Sequence, residues 1–167
     1  MSDKISQLKE VYNVRLVESG GLLNGTATRK QIEAEALSWR DVPWRHQGRT
    51  RKGVDCVGLI VEVAKSLQLM DYDCLGYART TRQEEFVKHF KAFMKQKPVT
   101  SRKKGDILLL RDGTYAGHSA ILGEMYGKEA LIHSYAGRRK VVQEPLTPEI
   151  LSRVTYCFEF PNIQEEN

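Results

Sequence analysis

This chain of 167 residues has little cysteine and no long apolar run, and each shortage argues against one class of protein. Its three cysteines, Cys56, Cys74 and Cys157, are odd in number and far apart, which argues for reduced thiols and against a disulfide scaffold. No apolar run approaches the length of a transmembrane helix, so no membrane span is expected. The first residues also lack the charged and then apolar layout of a signal peptide. We therefore expect synthesis and folding in the cytoplasm, with another route for any export.

Signatures of metal and nucleic-acid binding are missing as well. No Cys-x-x-Cys or His-x-x-x-His spacing supports a zinc site, and no metal or organic cofactor is implied. The net charge of +5 would suit contact with an anionic polymer such as nucleic acid, teichoic acid or cell wall. Lysine and arginine are nevertheless scattered along the chain, and no nucleic-acid-binding motif occurs. We expect a basic globular protein without a nucleic-acid partner.

The first half of the chain has the periodicity of helices. Residues 1–25 read as an N-terminal extension, because glycine pairs interrupt their apolar pattern. Residues 26–162 are predicted to form one domain with a real core, and residues 163–167 a tail. Helical spacing of apolar residues predicts three helices, which run from Thr26 or Thr28 to before Pro43, from Cys56 to about Leu69, and over residues 82–96.

The second half changes to the shorter period of strands. Apolar or alternating runs bounded by turn residues predict strands at 106–111, 117–123, 129–135, 140–144 and 155–160. Helices followed by strands argue for an α+β fold, with the helices packed on an antiparallel sheet of about five strands.

Cys56 lies where the sequence predicts the first turn of a buried helix. Asp55 is a good N-cap residue, and apolar residues recur after Cys56 at helical spacing. The positive end of a helix favours the thiolate, which is the reactive form of cysteine, whereas the neighbouring Asp55 carboxylate opposes it. The structural alternative is a cysteine that packs as a small hydrophobe.

Two of the four histidines, His118 and His133, fall on consecutive predicted strands. If the hairpin turns through residues 124–127, His118 lies directly opposite His133 and both share one sheet face. That face also carries Ala120, Leu122 and Leu131. If the Cys56 helix packs on the same face, Cys56, His118 and His133 form a nucleophile, a base and a residue that orients the base. Otherwise His118 is a polar strand residue and His133 a satisfied core histidine.

Four short motifs, in this order, resemble the NlpC-type family of papain-like cysteine peptidases, which cleave the peptide stems of bacterial peptidoglycan. The motifs are Gly53-Val54-Asp55-Cys56-Val57-Gly58-Leu59-Ile60 with Pro43-Trp44 before it, Lys104-Gly105-Asp106-Ile107-Leu108-Leu109, Gly117-His118-Ser119-Ala120-Ile121, and Leu131-Ile132-His133-Ser134-Tyr135. The resemblance covers roughly residues 28–160. The loop Trp44-Arg45-His46-Gln47-Gly48 and Val57 resemble the branch of the family that occurs in bacteriophage tails.

The resemblance implies a papain-like fold, with Cys56 as nucleophile, His118 as general base and His133 as the residue that orients it. It places Asp55 beside the substrate and implies peptidoglycan or its peptide fragments as the partner. For the tail branch it adds phage tail proteins as partners. Activity would be exerted at the cell wall or in the periplasm, after delivery by a phage tail or a secretion system.

Two positions depart from the family pattern. Val57 stands where the family usually has serine, and Trp44 where it usually has tyrosine. Valine has no hydrogen-bonding group and tryptophan only a donor, so both changes remove acceptors from the substrate-binding side. We expect Trp44 to line that side still, with His46 as a replacement polar contact.

Two other functions stay open at this stage. One is a papain-like deamidation or acyl transfer on a protein, carried out by an exported effector. The other is a structural tail protein whose site is vestigial. Fold alone excludes neither, because one fold hosts many functions.

Overall fold

An antiparallel sheet of six strands organises the fold. The computed structural model describes residues 17–79, 83–112 and 116–166. The first sixteen residues of the predicted extension and Asn167 of the predicted tail lie outside the described part. The sheet has the strand order β10-β9-β8-β7-β11-β6, and every neighbouring pair is antiparallel. The predicted α+β class is confirmed.

The helices and strands follow one another as the sequence periodicity predicts, with short extra strands between them. In chain order they are β1 (Val17–Ser19), β2 (Ala27–Thr28), α1 (Arg29–Leu37), β3 (Arg49–Thr50), β4 (Gly53–Val54), α2 (Cys56–Ser66), β5 (Asp73–Leu75), α3 (Gln83–Phe93), β6 (Lys95–Lys97), a 3-10 helix (Val99–Ser101), β7 (Ile107–Asp112), β8 (Ala116–Met125), β9 (Lys128–Tyr135), a second 3-10 helix (Ala136–Arg138), β10 (Lys140–Pro145), α4 (Pro148–Leu151), β11 (Val154–Glu159) and β12 (Ile163–Gln164). None of the helices in the described ranges is long and apolar enough to cross a membrane.

The sixth strand of the sheet, β6, is the main addition to the predicted elements. The sequence pattern assigns residues 95 and 96 to the end of the third helix, but Lys95–Lys97 pairs with β11 at the edge of the sheet. The segment has no alternation of apolar and polar residues, so its strand character is invisible to periodicity. Lysines suit an edge strand because their charge discourages further strand pairing.

The sheet separates two apolar clusters. On the side that we call the helix face, Ile121 and Ile132 pack with Leu59, Ile60 and Val63 of α2. On the opposite side, which we call the far face, the cluster consists of Leu108, Leu110, Ala120, Leu122, Leu131 and Cys157. Consecutive residues of β8 and β9 therefore point alternately to one cluster and to the other.

Both ends of the described chain dock on the domain. β1 pairs with β5, and the Leu23 amide donates to the Leu69 carbonyl at 3.0 Å. At the other end β12 pairs in parallel with β2, and Glu165 accepts a hydrogen bond of 2.9 Å from the buried Arg29. The domain boundaries at residues 25 and 162 stay predictions, although residues 17–25 are held along the core.

The hairpin between β8 and β9 turns later than the sequence suggests. Met125 pairs with Lys128, so the loop is only Tyr126-Gly127, and both residues have a positive φ, of 54° and 74°. This is the geometry of a two-residue hairpin turn, which usually carries asparagine, aspartate or glycine at the first position rather than tyrosine. The predicted turn through residues 124–127 is therefore wrong, and the register is shifted by two residues.

The shift changes how the two histidines meet. Ile121 lies opposite Ile132, so His118 and His133 are not directly opposite, as predicted, but diagonal to one another. A shift of two residues leaves every side chain on its original face, whereas a shift of one would have separated the histidines. Their predicted position on one face with Ala120, Leu122 and Leu131 is confirmed.

The strained turn residue generates a prediction about stability. Tyr126 is 94% exposed, so its replacement removes no packing. A left-handed backbone costs an ordinary L-residue roughly 1–2 kcal/mol, and asparagine tolerates it better. Tyr126→Asn should therefore raise the free energy of unfolding by about 1 kcal/mol in chemical denaturation. Tyr126→Phe keeps the strain and should leave stability unchanged. Equal stability of the Asn and Phe variants would contradict this account.

Candidate active site

A cleft at one end of the sheet brings most of the predicted site residues together. It lies where β7 ends, β8 begins and β9 ends, beside the start of α2 and the loops before α2 and after β5. The lining residues are Trp44, His46, Asp55, Cys56, Val57, Tyr77, Ala78, Arg79, Phe86, Asp112, Gly117, His118, Ser134, Tyr135 and Ala136. Of the six predicted residues, His133 alone is not part of the lining, and it contacts the cleft through His118.

Two serines hold the start of α2 on the sheet. The Ser119 hydroxyl donates to the Cys56 carbonyl at 3.0 Å, and the Ser134 hydroxyl donates to the Val54 carbonyl at 2.6 Å. Each serine directly follows one of the two histidines in the sequence, so the serines point to the helix face and the histidines to the far face.

The assumption that α2 packs on the histidine face is therefore wrong, because α2 packs on the opposite side of the sheet. Cys56 and His118 still line one cleft. Cys56 is the first residue of α2 and lies beside the end of the sheet, where neither side chain has to cross it.

Cys56 is a half-buried thiol whose charged form is disfavoured. Burial, followed by the negative charge of Asp55, raises the pKa of the Cys56 thiol to about 11. Hydrogen bonds from Ser119 and from the Val57 amide act in the opposite direction but are weaker. Burial and the Asp55 charge therefore outweigh the stabilisation of the thiolate that the sequence predicts for the first turn of a helix. Resting Cys56 is a neutral thiol near neutral pH.

His118 is a buried imidazole with one ring nitrogen engaged by a neighbour. Its Nε2 lies 2.7 Å from Nδ1 of His133, which leaves His118 Nδ1 for a partner in the cleft. Burial, with smaller effects of His133 and Arg153, lowers the pKa of His118 to about 3. Near neutral pH His118 is therefore uncharged and able to accept a proton.

His133 is held from both sides. Its second nitrogen, Nε2, lies 3.1 Å from Oε2 of Glu144, and its ring stacks on Tyr135 with centroids 5.2 Å apart. Burial lowers the pKa of His133, although the hydrogen bond with Glu144 opposes this. Sequence reasoning missed Glu144, which only the pairing of β10 with β9 brings next to His133.

Asp55 is a buried carboxylate whose oxygens are already occupied. As predicted it caps α2, because Oδ1 accepts from the Gly58 amide at 2.8 Å. The same oxygen accepts from Arg49 at 3.2 Å. Oδ2 accepts from the Gln47 amide at 2.7 Å and from the Tyr77 hydroxyl at 2.6 Å.

Arg49 and Tyr77 are site residues that the sequence did not reveal, because neither belongs to a quoted motif and their contacts with Asp55 exist only in the folded chain. Trp44 lacks the hydroxyl group of the tyrosine that the family usually has at this position, and Tyr77 supplies a hydroxyl group beside Asp55. Burial, and then the charge of Asp55, raise the pKa of Tyr77, so its hydroxyl stays protonated.

Trp44 and His46 form a wall of the cleft, and their contact with a substrate stays a prediction. The Arg79 guanidinium lies 4.7 Å from the centre of the Trp44 ring, which is a cation–π contact. The His46 ring stacks 6.5 Å from the Trp44 ring, and His46 Nδ1 is 4.0 Å from Oδ2 of Asp55. Their loop can approach α2 because Gly58 has no side chain, since a Cβ there would lie 2.2 Å from the Gly48 carbonyl oxygen.

Outside this cleft, three side chains that could bind a metal ion lie close together. One ligand atom each of Glu18, Cys74 and His89 falls within 4.8 Å of the others. Nδ1 of His89 is 2.6 Å from the Tyr72 hydroxyl, so hydrogen bonding already accounts for the position of that ring. None of these residues lines the cleft that contains Cys56.

The neutral state of Cys56 and His118 leads to a prediction about thiol reactivity. The thiolate fraction grows about tenfold per pH unit below the thiol pKa, so alkylation of Cys56 by iodoacetamide should accelerate steadily from pH 6 to pH 9. Cys74 and Cys157 are buried and should label only after unfolding. Mass spectrometry of tryptic peptides gives the rate at each cysteine, with Cys56→Ser as the control. A rate that stays constant between pH 5 and pH 8 would instead indicate a thiolate–imidazolium pair.

Known proteins provide an independent test of the fold and family. The model of the NlpC/P60 family matches residues 41–158, a range that contains every residue of the cleft. No curated protein matches the sequence of this chain.

Several solved structures share the fold of this chain at low sequence identity. An NlpC/P60 family protein from Bacillus cereus ATCC 10987 has a TM-score of 0.59 and 18% identity over 81% of this chain and 41% of its own. The NlpC/p60 domain of peptidoglycan hydrolase SagA has a TM-score of 0.55 and 20% identity over 80% of this chain and 99% of its own. An N-acetylmuramoyl-L-alanine amidase from Bacteroides uniformis ATCC 8492 has a TM-score of 0.60 and 15% identity over 80% and 98%.

The chain spans about two fifths of the length of the Bacillus cereus protein and nearly the whole of the other two. These likenesses show a common papain-like fold, and the family match covers more than half of the chain. The protein therefore belongs to the NlpC/P60 family.

Proposed function

We propose that this protein is a cysteine hydrolase that cleaves peptide bonds in the stem peptides of bacterial peptidoglycan. The observation that carries the proposal is the shared cleft of Cys56 and His118, behind which His133 lies 2.7 Å from His118. A nucleophile, a base and a residue that orients the base are the parts that nucleophilic catalysis requires. Membership of the NlpC/P60 family and the likeness to a peptidoglycan hydrolase domain supply the substrate class.

The first step joins Cys56 to the substrate. The sulfur attacks the scissile carbonyl carbon while Nδ1 of His118 takes the thiol proton. Because the resting pair is neutral, charge separates only as the new bond forms, and the carbonyl oxygen becomes an oxyanion. We assign the backbone N–H of Cys56, the first residue of α2, as a donor to that oxyanion, because the start of a helix favours negative charge.

The second half of the cycle returns the proton and releases the product. The His118 imidazolium protonates the leaving amine as the C–N bond breaks, which leaves an acyl thioester on Cys56. His118, again neutral, then takes a proton from water, and the hydroxide oxygen attacks the thioester carbon. Expulsion of the Cys56 sulfur, which regains its proton from His118, frees the new carboxyl end.

The route to the cell wall is part of the proposal. The loop from Trp44 to Gly48 and Val57 resemble the phage-tail branch of the family, which supports delivery by a tail together with tail proteins. A secretion system is the alternative route. In both cases the protein would act at the wall or in the periplasm.

Digestion of purified peptidoglycan tests the proposed reaction. Mass spectrometry of the soluble fraction should detect stem-peptide fragments with the wild type and none with Cys56→Ala. Loss of a general base lowers the rate by about 10² to 10⁴, so His118→Ala should be nearly silent, while His133→Gln, which still offers one hydrogen bond, should retain more activity. Cys74→Ala, outside the cleft, is the matched control.

Other outcomes of the digestion identify the other candidate functions. A wild type that leaves peptidoglycan intact but changes the mass of a protein partner would favour deamidation or acyl transfer. Inertness in both assays would favour a structural role in a tail.

The cleft also predicts a preference among wall substrates. Asp55 already accepts four hydrogen bonds, one of them from a guanidinium, and neither Val57 nor Trp44 offers an acceptor. Burial of a free ammonium group without acceptors is costly. A substrate whose amine is capped, as in peptidoglycan still joined to its sugar, should fit better.

We therefore expect intact or crosslinked wall to be cleaved at least as fast as free tetrapeptide, and Val57→Ser to shift the preference toward the free peptide. Initial rates on sacculi and on free tetrapeptide, for both proteins, measure this. A wild type that strongly prefers the free tetrapeptide would contradict it.

A further inference from the structure

Glu144 extends the chain of hydrogen bonds behind the cleft by one residue. Its Oε2 lies 3.1 Å from Nε2 of His133, and its Oε1 accepts a hydrogen bond of 2.7 Å from Nε of Arg138. β10 places it there, because Val142 lies opposite His133 and Glu144 stands two residues further along the same face. Each carboxylate oxygen thus has one defined partner.

The charge of Glu144 determines which nitrogen of His133 carries the proton. Burial alone would raise the pKa of Glu144, but the hydrogen bonds from Arg138 and His133 outweigh it and lower that pKa. An ionised carboxylate only accepts hydrogen bonds, so His133 must carry its proton on Nε2. Nδ1 of the neutral His133 is then an acceptor.

The protonation of His133 in turn determines which nitrogen of His118 carries the proton. Its Nε2 lies 2.7 Å from Nδ1 of His133, and since that atom is an acceptor, His118 must carry its proton on Nε2. Nδ1 of His118 is then unprotonated and available as a base on the cleft side. If His133 carried its proton on Nδ1 instead, His118 Nε2 would accept, and Nδ1 of His118 would hold a proton that blocks its use as a base.

We propose that Glu144 is a positioning residue that, acting through His133, holds His118 in the tautomer with a basic Nδ1. The negative charge of Glu144 also stabilises the imidazolium that His118 becomes when it takes a proton. The kinetic consequence rests on the proposed hydrolase function, whereas the tautomers of the two resting histidines do not.

NMR of the ¹⁵N-labelled protein without substrate tests the tautomers directly. Ring nitrogens with and without a proton have well-separated ¹⁵N shifts, and His118→Gln and His133→Gln assign the signals. We expect Nε2 to be protonated and Nδ1 unprotonated in both rings of the wild type, and a mixture of tautomers in Glu144→Ala. Protonation of His133 on Nδ1 in the wild type, or unchanged tautomers in a folded Glu144→Ala, would overturn the proposal. Neither result depends on any hydrolysis of peptidoglycan.

Kinetics on peptidoglycan fragments test the consequence for catalysis. Glu144→Gln should lower kcat about 10- to 100-fold, the range expected for a hydrogen bond to a charged group, and leave KM nearly unchanged. Glu129→Gln is the matched control, because it removes an equivalent pair, with Arg102 at 2.8 Å, on the neighbouring strand β9. An equal loss in both variants would mean a general effect on the sheet and would overturn the assignment.

A double-mutant cycle separates positioning through His133 from a purely structural role. In a His133→Gln background, Glu144→Gln should cause no further loss of kcat, because the group through which Glu144 acts is already gone. Losses that multiply would mean that Glu144 acts independently of His133, which would also overturn the proposal.

Discussion

The buried carboxylate of Asp55 is the constraint on which the site depends. A buried charge needs partners, and those of Asp55 come from three separate segments: the first turn of α2, the segment from Gln47 to Arg49, and the loop with Tyr77. Each segment forms a wall of the cleft. The residue that starts the helix of Cys56 therefore also sets the distance between the walls. Without Asp55, Arg49 would keep Asp73 as its carboxylate partner among the described residues, and the Tyr77 hydroxyl would lose the acceptor of its own proton but keep the hydrogen bond from Arg49.

A second constraint comes from the alternation of side chains along β8 and β9. His118-Ser119 and His133-Ser134 are two copies of one dipeptide, in which the serine binds the backbone at the start of α2 and the histidine points away. Anchoring of the start of α2 and contact between the two imidazoles are thus encoded in adjacent residues. A one-residue slip of either strand would exchange the two roles and dismantle the site.

Local signals in the sequence were enough for part of this structure. The start of α2 follows from Asp55 and the apolar spacing behind it, and the common face of the two histidines follows from the two-residue period of strands. The register of the β8–β9 hairpin could not be predicted from the sequence, because tyrosine is unusual at the first position of such a turn. Asparagine or glycine at position 126 would have indicated the turn. Arg49, Tyr77 and Glu144 could not be found either, because no motif marks them and only the folded chain brings them against Asp55 or His133. The thiol pKa depends on burial, which no motif reports.

The neutral resting state of Cys56 has a consequence for how long the protein survives in an oxidising setting. Peroxides attack the thiolate far faster than the thiol, and the first product, a sulfenic acid, can proceed to forms that no longer revert. A protonated thiol is less nucleophilic than a thiolate, but it is protected from this chemistry. Near neutral pH, Cys56 should therefore react with peroxide more slowly than a cysteine that is a thiolate at that pH.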